Sequence, residues 1–429
     1  MVAFSVLGLA TIAARSLASV NPVPERSIGL TSSLKTVRNV NTASDIPSGL
    51  AQHVRGLARY GGTIPEGLTA LLRRENIGST GSSYDAPTGE WVTIASFGTP
   101  PQELPIIIDT GSWDCVVYSS QSEKSGLPAN TSLYEPDNSR TAKKLDGFTF
   151  KVIYGNGDQE TSGDIEVNGD VFLDVLTIGG VTAPAQAVES VINYTAGFAS
   201  LDASGIVGMA LSKNNTVKPV KQHTFFDNLK DQLAMPVLTA DLYLEAESHY
   251  DFGFINHSLI HGDITWAAVN TSDSQQGWWS ISVEGYQVGS EAYVASAFPS
   301  IVDTGTLQNL FPPSVVSAYY EQVPAAVNST EYGAFVFPCN QTLPDFAVKI
   351  NGRSFTVPGS LLNVAQLSNT TCMGNIQAIP PATDGGLPQP TACLGATFML
   401  QHLLVFDLGT LQVGIAKKRY IENATFVDV

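Results

Sequence analysis

The chain of 429 residues is 43% hydrophobic and 14% charged, a composition that supports a sizeable buried core and argues against wholesale disorder. Its formal net charge of −17 argues against nucleic acid as a partner. The length suits two or three domains at roughly 150 residues per domain.

The charge is divided unevenly along the chain. Residues 1–74 carry a net charge of +5, whereas the remainder carries −22. A basic leader joined to an acidic body suggests a segment that docks electrostatically and is removed later, so we assign residues 20–74 to a propeptide. It ends at the dibasic pair Arg73-Arg74, before the Gly/Ser-rich stretch 78–83, and such a junction favours processing. The alternative is an ordinary charged helix end.

The first residues predict a secretory signal peptide over 1–19. An apolar run, 6–14, is followed by the small residues Ala18 and Ser19, although no Lys or Arg precedes the run. The alternative is a buried N-terminal strand. No later run of ~18 apolar residues follows, so we expect no membrane span.

Asn-x-Ser/Thr acceptors for N-glycosylation are frequent, which fits a secreted chain. The nine acceptor asparagines are Asn130, Asn193, Asn214, Asn256, Asn270, Asn328, Asn340, Asn369 and Asn423.

Four cysteines fit one or two bridges in an oxidising compartment. Cys339 and Cys372 flank a strand-like stretch and could close a loop between them. Cys115 and Cys393 lie in apolar contexts and are interpreted as buried thiols, with a bridge between them left open.

From Trp91 onward, short runs of Val, Ile, Thr and aromatic residues alternate with Gly, Pro, Asn and Asp, which predicts an all-β body. Two helices are predicted to interrupt it, over Thr224–Leu233 and Ser314–Val323.

The body contains an internal repeat. The segment IIIDTGSW at 106–113 is answered by SIVDTGTL at 300–307, and each is followed by a second apolar strand that ends in Gly208 or Gly395. An Asp-Thr-Gly motif and then an apolar strand ending in glycine occur twice in the same order, which predicts a duplicated domain.

The repeated Asp-Thr-Gly predicts a catalytic pair, Asp109 and Asp303. One copy would be interpreted as a β-turn, but two copies after apolar strands are hard to explain that way. Two carboxylates held together share one proton over a broad acid range, so the ionised member can deprotonate a water while the protonated member polarises a carbonyl. Ser112 and Thr306 can donate to the outer carboxylate oxygens.

The threonine and glycine that follow each aspartate also have a physical explanation. Gly111 and Gly305 let the backbone approach the carboxylates, so that the glycine amides donate to them. Thr110 and Thr304 have short, stiff hydroxyls that can brace one loop against the other.

The sequence resembles the pepsin-like aspartic proteases of the A1 type, particularly the secreted fungal precursors, over nearly all of 86–420. Besides the two Asp-Thr-Gly motifs, FGTPPQE at 97–103, FFDNL at 225–229 and VFDLGTLQVGIA at 405–416 are similar to segments of that family. The resemblance implies a mostly β, bilobal fold of two related six-stranded-barrel-like lobes with a few short helices. We expect the N-terminal lobe, with its flap, over 75–285 and the C-terminal lobe over 286–429.

The segment FKVIYGNGD resembles the flap, a hairpin that closes over substrate in that family. The resemblance implies that Tyr154 is the flap tyrosine and that Gly155, Asn156 and Gly157 form the tip. The family usually has a Trp seven positions past the first Asp, hydrogen-bonded to this tyrosine. Val116 holds that position here, and the nearest Trp is Trp113.

Further roles follow from the resemblance alone. Ile107 and Ile206 would line the main specificity pocket, favouring apolar side chains at the cut. Cys339 and Cys372 would form the disulfide of the C-terminal lobe. LARYGG at 57–62 lies near the place where a basic residue of the propeptide blocks the cleft, which makes Arg59 the candidate latch.

The sequence therefore predicts a zymogen of an acid-active aspartic endopeptidase. Its partners would be extended polypeptide substrates and its own propeptide, with no cofactor and no metal. We expect a monomer that is secreted, with vacuolar delivery left open. The alternative function is a catalytically silent binding protein with the same fold.

Overall fold

A computed structural model describes residues 76–420, except 125, 128–130, 155–164, 196–197, 199–200, 273–274 and 381–389. Several predicted features lie outside the described residues: the signal peptide, the propeptide with Arg59, the flap tip Gly155, Asn156 and Gly157, and the acceptors Asn130 and Asn423. The backbone of Tyr154 is described, but its side chain is not.

The described chain is built mainly of β-strands, as its alternation of β-formers and turn residues predicts. The strands of the first half are β1 Gly78–Asp85, β2 Glu90–Phe97, β3 Gln102–Asp109, β4 Cys115–Tyr118, β5 Lys143–Tyr154, β6 Ile165–Ile178, β7 Val181–Tyr194, β8 Gly205–Gly208, β9 Val237–Asp241, β10 Ser248–Phe252, β11 Ile260–Ala268, β12 Ser280–Val283 and β13 Gly285–Val288. Those of the second half are β14 Phe298–Val302, β15 Asn309–Phe311, β16 Val327–Ser329, β17 Ala334–Pro338, β18 Phe346–Ile350, β19 Arg353–Val357, β20 Asn363–Gln366, β21 Thr371–Gly374, β22 Ile376–Ala378, β23 Cys393–Leu394, β24 His402–Asp407 and β25 Gln412–Lys418.

The described helices are short. They are α1 Phe225–Leu229, α2 Pro313–Tyr320 and α3 Ala396–Met399, together with single 3₁₀ turns at Pro136–Asn138, Ser212–Asn214, His257–Leu259 and Gly359–Leu361. Helix α1 begins where predicted, since the Thr224 side chain caps it by accepting from Asp227 N. It ends four residues earlier than predicted, and α2 ends three residues earlier. None of the described helices is both long and apolar enough to cross a membrane.

One large sheet dominates the described residues. Its thirteen strands follow the order β11-β25-β24-β9-β10-β1-β2-β3-β8-β4-β7-β6-β5, and smaller sheets contain five, four and three strands. Strands β24 and β25, from the end of the described chain, complete the same sheet as β1 at its beginning. The two ends of the body therefore belong to one hydrogen-bonded sheet, with β9 and β10 between β24 and β1.

The internal repeat is present in the topology. Strand β8 lies between β3 and β4, parallel to the first and antiparallel to the second. Strand β23 lies in the same way between β14 and β15. Each Asp-Thr-Gly segment is thus the connection between two strands that are separated by a third strand from later in the chain.

The cysteines behave as the sequence predicts. Cys339, just after β17, is bonded to Cys372 in β21 and closes a loop with a sequence separation of 33. Cys115 and Cys393 are free and buried.

The described acceptor asparagines differ in exposure. Four of them are exposed: Asn193, Asn328, Asn340 and Asn369. The other three are half-buried: Asn214, Asn256 and Asn270. The amide nitrogen of Asn214 is also engaged, because it donates to Gln276 O at 2.7 Å.

Candidate active site

The two Asp-Thr-Gly segments meet face to face, although they are far apart in sequence. Asp109 ends β3 and Asp303 follows β14, and their side chains are 8% and 7% exposed. Gly111 N donates to Asp109 Oδ1 at 2.7 Å, and Gly305 N donates to Asp303 Oδ1 at 2.8 Å. Each carboxylate is therefore oriented by the backbone amide of the glycine two positions later in the chain.

Only glycine fits between the two carboxylates. A Cβ atom on Gly305 would lie 2.5 Å from Asp109 Cγ, and one on Gly111 would overlap the Asp303 carboxylate. Non-bonded carbon atoms do not approach this closely, so a side chain at either glycine would push the acids apart. The glycine of each segment thus makes room for the acid of the other.

Crossed threonine hydrogen bonds join the segments. Thr304 Oγ1 accepts from Thr110 N at 3.1 Å, and Thr110 Oγ1 accepts from Thr304 N at 3.0 Å. The same hydroxyls donate across to carbonyls, from Thr304 to Ile108 O at 2.6 Å and from Thr110 to Val302 O at 3.0 Å. All four bonds are buried, so they fix the distance between the segments.

The two hydroxyl residues that follow the motif differ. Thr306 Oγ1 donates to Asp303 Oδ2 at 2.8 Å, as predicted. Ser112 Oγ is buried and has no hydrogen-bond partner among the described residues, so the bond predicted to Asp109 is not formed. Asp109 is held instead by the Gly111 amide and by its hydrogen bond with the Asp303 side chain.

Two tryptophans support the first segment. The indole of Trp278 donates to Gly111 O at 3.1 Å, and Trp113 packs against it with ring centroids 5.1 Å apart. The indole of Trp113 donates to Gly277 O at 2.7 Å, which engages its only donor. No sequence pattern indicated the contact of Trp278 with Gly111.

The environment of the pair favours a retained proton. Burial, the neighbouring charge of Asp109 and the hydrogen bond that the protonated Asp303 donates to Asp109 raise the pKa of Asp303 well above its usual range. A third carboxyl, at Glu90 in β2, has its pKa raised to about 9 by burial and then by the charges of Asp109, Asp303 and Asp85. The sequence did not indicate Glu90, because its proximity depends on the antiparallel pairing of β2 with β3.

Ile107 and Ile206 lie beside Asp109. They are paired directly across β3 and β8, and strand alternation puts Ile107 on the same face as the aspartate. Both belong to a buried apolar cluster that includes Val116 and Phe150, the latter from the strand that leads to Tyr154. This cluster forms an apolar wall next to the carboxylates.

A second buried carboxyl pair lies behind the first segment. Asp114 and Glu189 are 1% and 0% exposed, and the amide of Asn215 donates to both, at 2.8 and 3.1 Å. Their remaining oxygens, Asp114 Oδ2 and Glu189 Oε2, are buried, and a hydrogen bond between the two side chains requires that one carboxyl keep its proton. Burial raises the pKa of Asp114 to about 6 and that of Glu189 well above its usual range.

The site has the groups needed for acid–base chemistry on a water molecule. Two adjacent carboxyl groups, one of which keeps its proton, can act together as base and acid without a covalent intermediate. The apolar wall beside them suits a substrate side chain.

Known proteins match the chain over most of its length. The family model described as eukaryotic aspartyl protease matches residues 90–418. Penicillopepsin-3 of Penicillium janthinellum is 36% identical over 421 residues, which cover 97% of this chain and 100% of the relative. Aspergillopepsin-1 of Aspergillus fumigatus is 35% identical over 421 residues, covering 97% and 99%. Endothiapepsin of Cryphonectria parasitica is 37% identical over 372 residues, covering 84% and 85%.

These matches agree with the paired aspartates and with the repeated topology around them. The chain belongs to the eukaryotic aspartyl protease family, has the mostly β, bilobal fold of the pepsin-like enzymes, and is an aspartic-type endopeptidase similar to the fungal pepsins.

Proposed function

We propose that this enzyme hydrolyses peptide bonds in extended polypeptides at acidic pH, with a water activated between Asp109 and Asp303. The observation that carries the proposal is the buried carboxyl pair, held in hydrogen-bond contact by crossed bonds from both halves of the chain. Such a pair keeps one proton under acid conditions, as the water-activation mechanism requires.

The electrostatics assign the two roles. Asp303 holds the shared proton, because burial and the charge of Asp109 raise its pKa. Asp109 then takes a proton from the water while Asp303 donates to the oxygen of the scissile carbonyl. Gly111, Gly305 and Thr306 orient the carboxylates through their hydrogen bonds.

Substrate binding is expected to use the flap and the apolar wall. An extended peptide gains main-chain hydrogen bonds beneath the hairpin that contains Tyr154, whose tip would be Gly155, Asn156 and Gly157. Ile107 and Ile206 favour an apolar side chain next to the bond that is cut. Trp113 is engaged with Gly277 and so does not replace the tryptophan that usually holds the flap tyrosine.

Hydrolysis of denatured haemoglobin at about pH 3.5 tests the proposal. The mature protein should digest it, and Asp109→Asn and Asp303→Asn should each lower kcat at least ~10³-fold with the fold retained. The exposed Asp146→Asn is the matched control and should leave kcat unchanged. Absence of turnover in the protein freed of its leader would favour the alternative, a catalytically silent binding protein.

We also propose that the enzyme is made as a zymogen. Its cationic leader, 20–74, would dock on the anionic body, with Arg59 beside the aspartates as the latch. Acidification protonates carboxylates and weakens these ion pairs, which releases the leader. A complex of separately produced leader and body that is equally tight at about pH 3 and about pH 7 would contradict this mechanism.

The remaining assignments rest on the sequence. The protein would be a secreted monomer with a signal peptide at 1–19, and export into the medium rather than retention in a vacuole is tested by fractionation. The lobes would span 75–285 and 286–429. We expect N-linked glycans at the exposed acceptors Asn193, Asn328, Asn340 and Asn369, because an acceptor amide must be accessible to be modified.

A further inference from the structure

A polar cavity of about 370 Å³ lies apart from the paired aspartates and shares no lining residue with them. Its walls come from four strands and their connections: β11, β19, the start of β24, and β25. The residues that matter here are His261, Asp263, Arg353, Gln401, His402 and Lys417.

Two of these polar side chains are almost fully buried, yet each has a polar group without a hydrogen-bond partner among the described residues. Gln401 is 8% exposed and His402 is 4% exposed. The side-chain amide of Gln401 makes no hydrogen bond with any described residue. His402 makes one, from Nδ1 to Phe398 O at 2.9 Å. Residues this deeply buried normally have their polar groups paired, so the amide of Gln401 and Nε2 of His402, which have no described partner and line one cavity, can bind a ligand there.

The imidazole of His402 is held in one orientation. It stacks on Phe398 with ring centroids 4.4 Å apart and meets Phe355 edge-on at 5.4 Å. Because a carbonyl oxygen only accepts, Nδ1 must carry the proton in the bond to Phe398 O. The neutral ring therefore has a lone pair on Nε2, and protonation converts that nitrogen into a donor.

The charges around the cavity favour an anion. Arg353 and Lys417 are exposed cations at its rim, whereas Asp263 is the one acid among the lining residues. Arg353 Nη1 donates to Asp263 O at 3.2 Å and to Thr265 Oγ1 at 3.3 Å, which positions the guanidinium and leaves its Nε and Nη2 without a described partner. This concentration of donors stands out on a chain with a net charge of −17.

We propose that this cavity is a binding site for a tetrahedral oxyanion, either free sulfate or phosphate or the phosphate group of a small phosphomonoester. Arg353 and Lys417 supply the charge, the amide of Gln401 supplies a neutral donor, and His402 donates from Nε2 when it is protonated. The volume exceeds that of a bare ion and leaves room for an attached sugar.

Binding should be coupled to proton uptake by His402. The pKa of His402 is lowered to about 4, mainly by burial and further by Lys418 and Lys417, against the opposing effect of the Phe398 carbonyl. An anion against Nε2 favours the charged imidazolium, so the affinity should rise as the pH falls. Asp263 and His261 of β11 are the other acid and imidazole that line the cavity, which makes a His402 variant necessary.

Calorimetric titration of the mature protein with sodium sulfate, at ionic strength held constant with sodium chloride, tests the site. Sulfate is chosen because it remains a dianion between about pH 4 and about pH 6.5. We expect saturable binding at the lower pH that is at least about tenfold weaker at the higher one. Arg353→Gln should weaken it at least about tenfold, while the exposed Arg140→Gln, which removes the same charge elsewhere, should not.

His402→Gln should remove most of the pH dependence. If that buried variant does not fold, the exposed Lys417→Gln replaces it and should weaken binding without changing the unfolding temperature. Tighter binding of ribose 5-phosphate than of inorganic phosphate would assign the site to phosphomonoesters, and equal binding would assign it to the free ion. Sulfate that binds no better than chloride, or equal affinities of Arg353→Gln and Arg140→Gln, would overturn the proposal.

Discussion

Replacing Asp114 by Asn should stabilise the enzyme at neutral pH and leave its stability in acid unchanged. Asp114 Oδ1 accepts from the amide of Asn215 at 2.8 Å and from the backbone and hydroxyl of Thr216 at 2.8 and 3.0 Å. Asparagine keeps this oxygen and puts an NH₂ group where Asp114 Oδ2 meets Glu189. The variant therefore supplies permanently the donor that the wild-type pair obtains only by keeping a proton.

The size of this stabilisation follows from the pKa of Asp114. Burial raises the pKa of Asp114 from 3.8 to about 6, so folding is favoured by the protonated form. This contribution is fully present below pH 3.8, where folded and unfolded chains are both protonated, and it is lost as the pH rises through about 6. A difference of about two pKa units corresponds to about 3 kcal/mol. Asp114→Asn should therefore raise the free energy of unfolding by about 3 kcal/mol at about pH 6.5.

Urea unfolding followed by tryptophan fluorescence measures this difference. All variants should carry Asp303→Asn, so that unfolded molecules are not digested, and Asp146→Asn is the exposed control. The reasoning is refuted if Asp114→Asn is no more stable than the control at about pH 6.5, or if it gains as much at about pH 3 as at about pH 6.5.

Three further substitutions test the geometry described above. Gly305→Ala should lower kcat at least ~10²-fold with little change in KM, because the new Cβ would lie 2.5 Å from Asp109 Cγ; a wild-type kcat would mean that the loops can separate freely. Thr304→Val should lower the free energy of unfolding in urea by about 1–3 kcal/mol and should also lower kcat. Thr304→Ser, which keeps the hydroxyl, should have a free energy of unfolding and a kcat close to those of the wild type. A serine variant as impaired as the valine variant would contradict the role of the hydroxyl. Replacing Cys339 and Cys372 by Ser should cost about 3.5 kcal/mol, as expected for a loop of this length, and an unchanged urea midpoint would contradict that cost.

The central features of the site could be predicted because each depends on a short contiguous segment of sequence. Asp109 and Asp303 each follow an apolar strand and precede the same small residues, so repetition alone indicated that the two segments meet. The buried thiols and the β-rich body were likewise predictable from composition and spacing, and the Cys339–Cys372 bond from the family resemblance.

Contacts between distant segments that no repeated motif marks could not be predicted. The hydrogen bond from Trp278 to Gly111 and the position of Glu90 beside the aspartates depend on how strands pair, which no local pattern specifies. Ser112 was expected to imitate Thr306, but the two halves of the repeat differ in detail, and its hydroxyl has no described partner. The helix after Thr224 was predicted too long, because its apolar spacing continues into turns that precede Pro236.

The closure of the large sheet by β24 and β25 bears on how the chain acquires its structure. Val405 pairs with Thr239, and Gly414 pairs with Trp266, so β9 and β11 each take a neighbour from the last part of the described chain. Pairings of such long range form slowly, and exposed strand edges invite aggregation meanwhile. The segment 402–418 must therefore leave the ribosome before the large sheet can be completed, and until then the open edges of β9 and β11 need protection from aggregation.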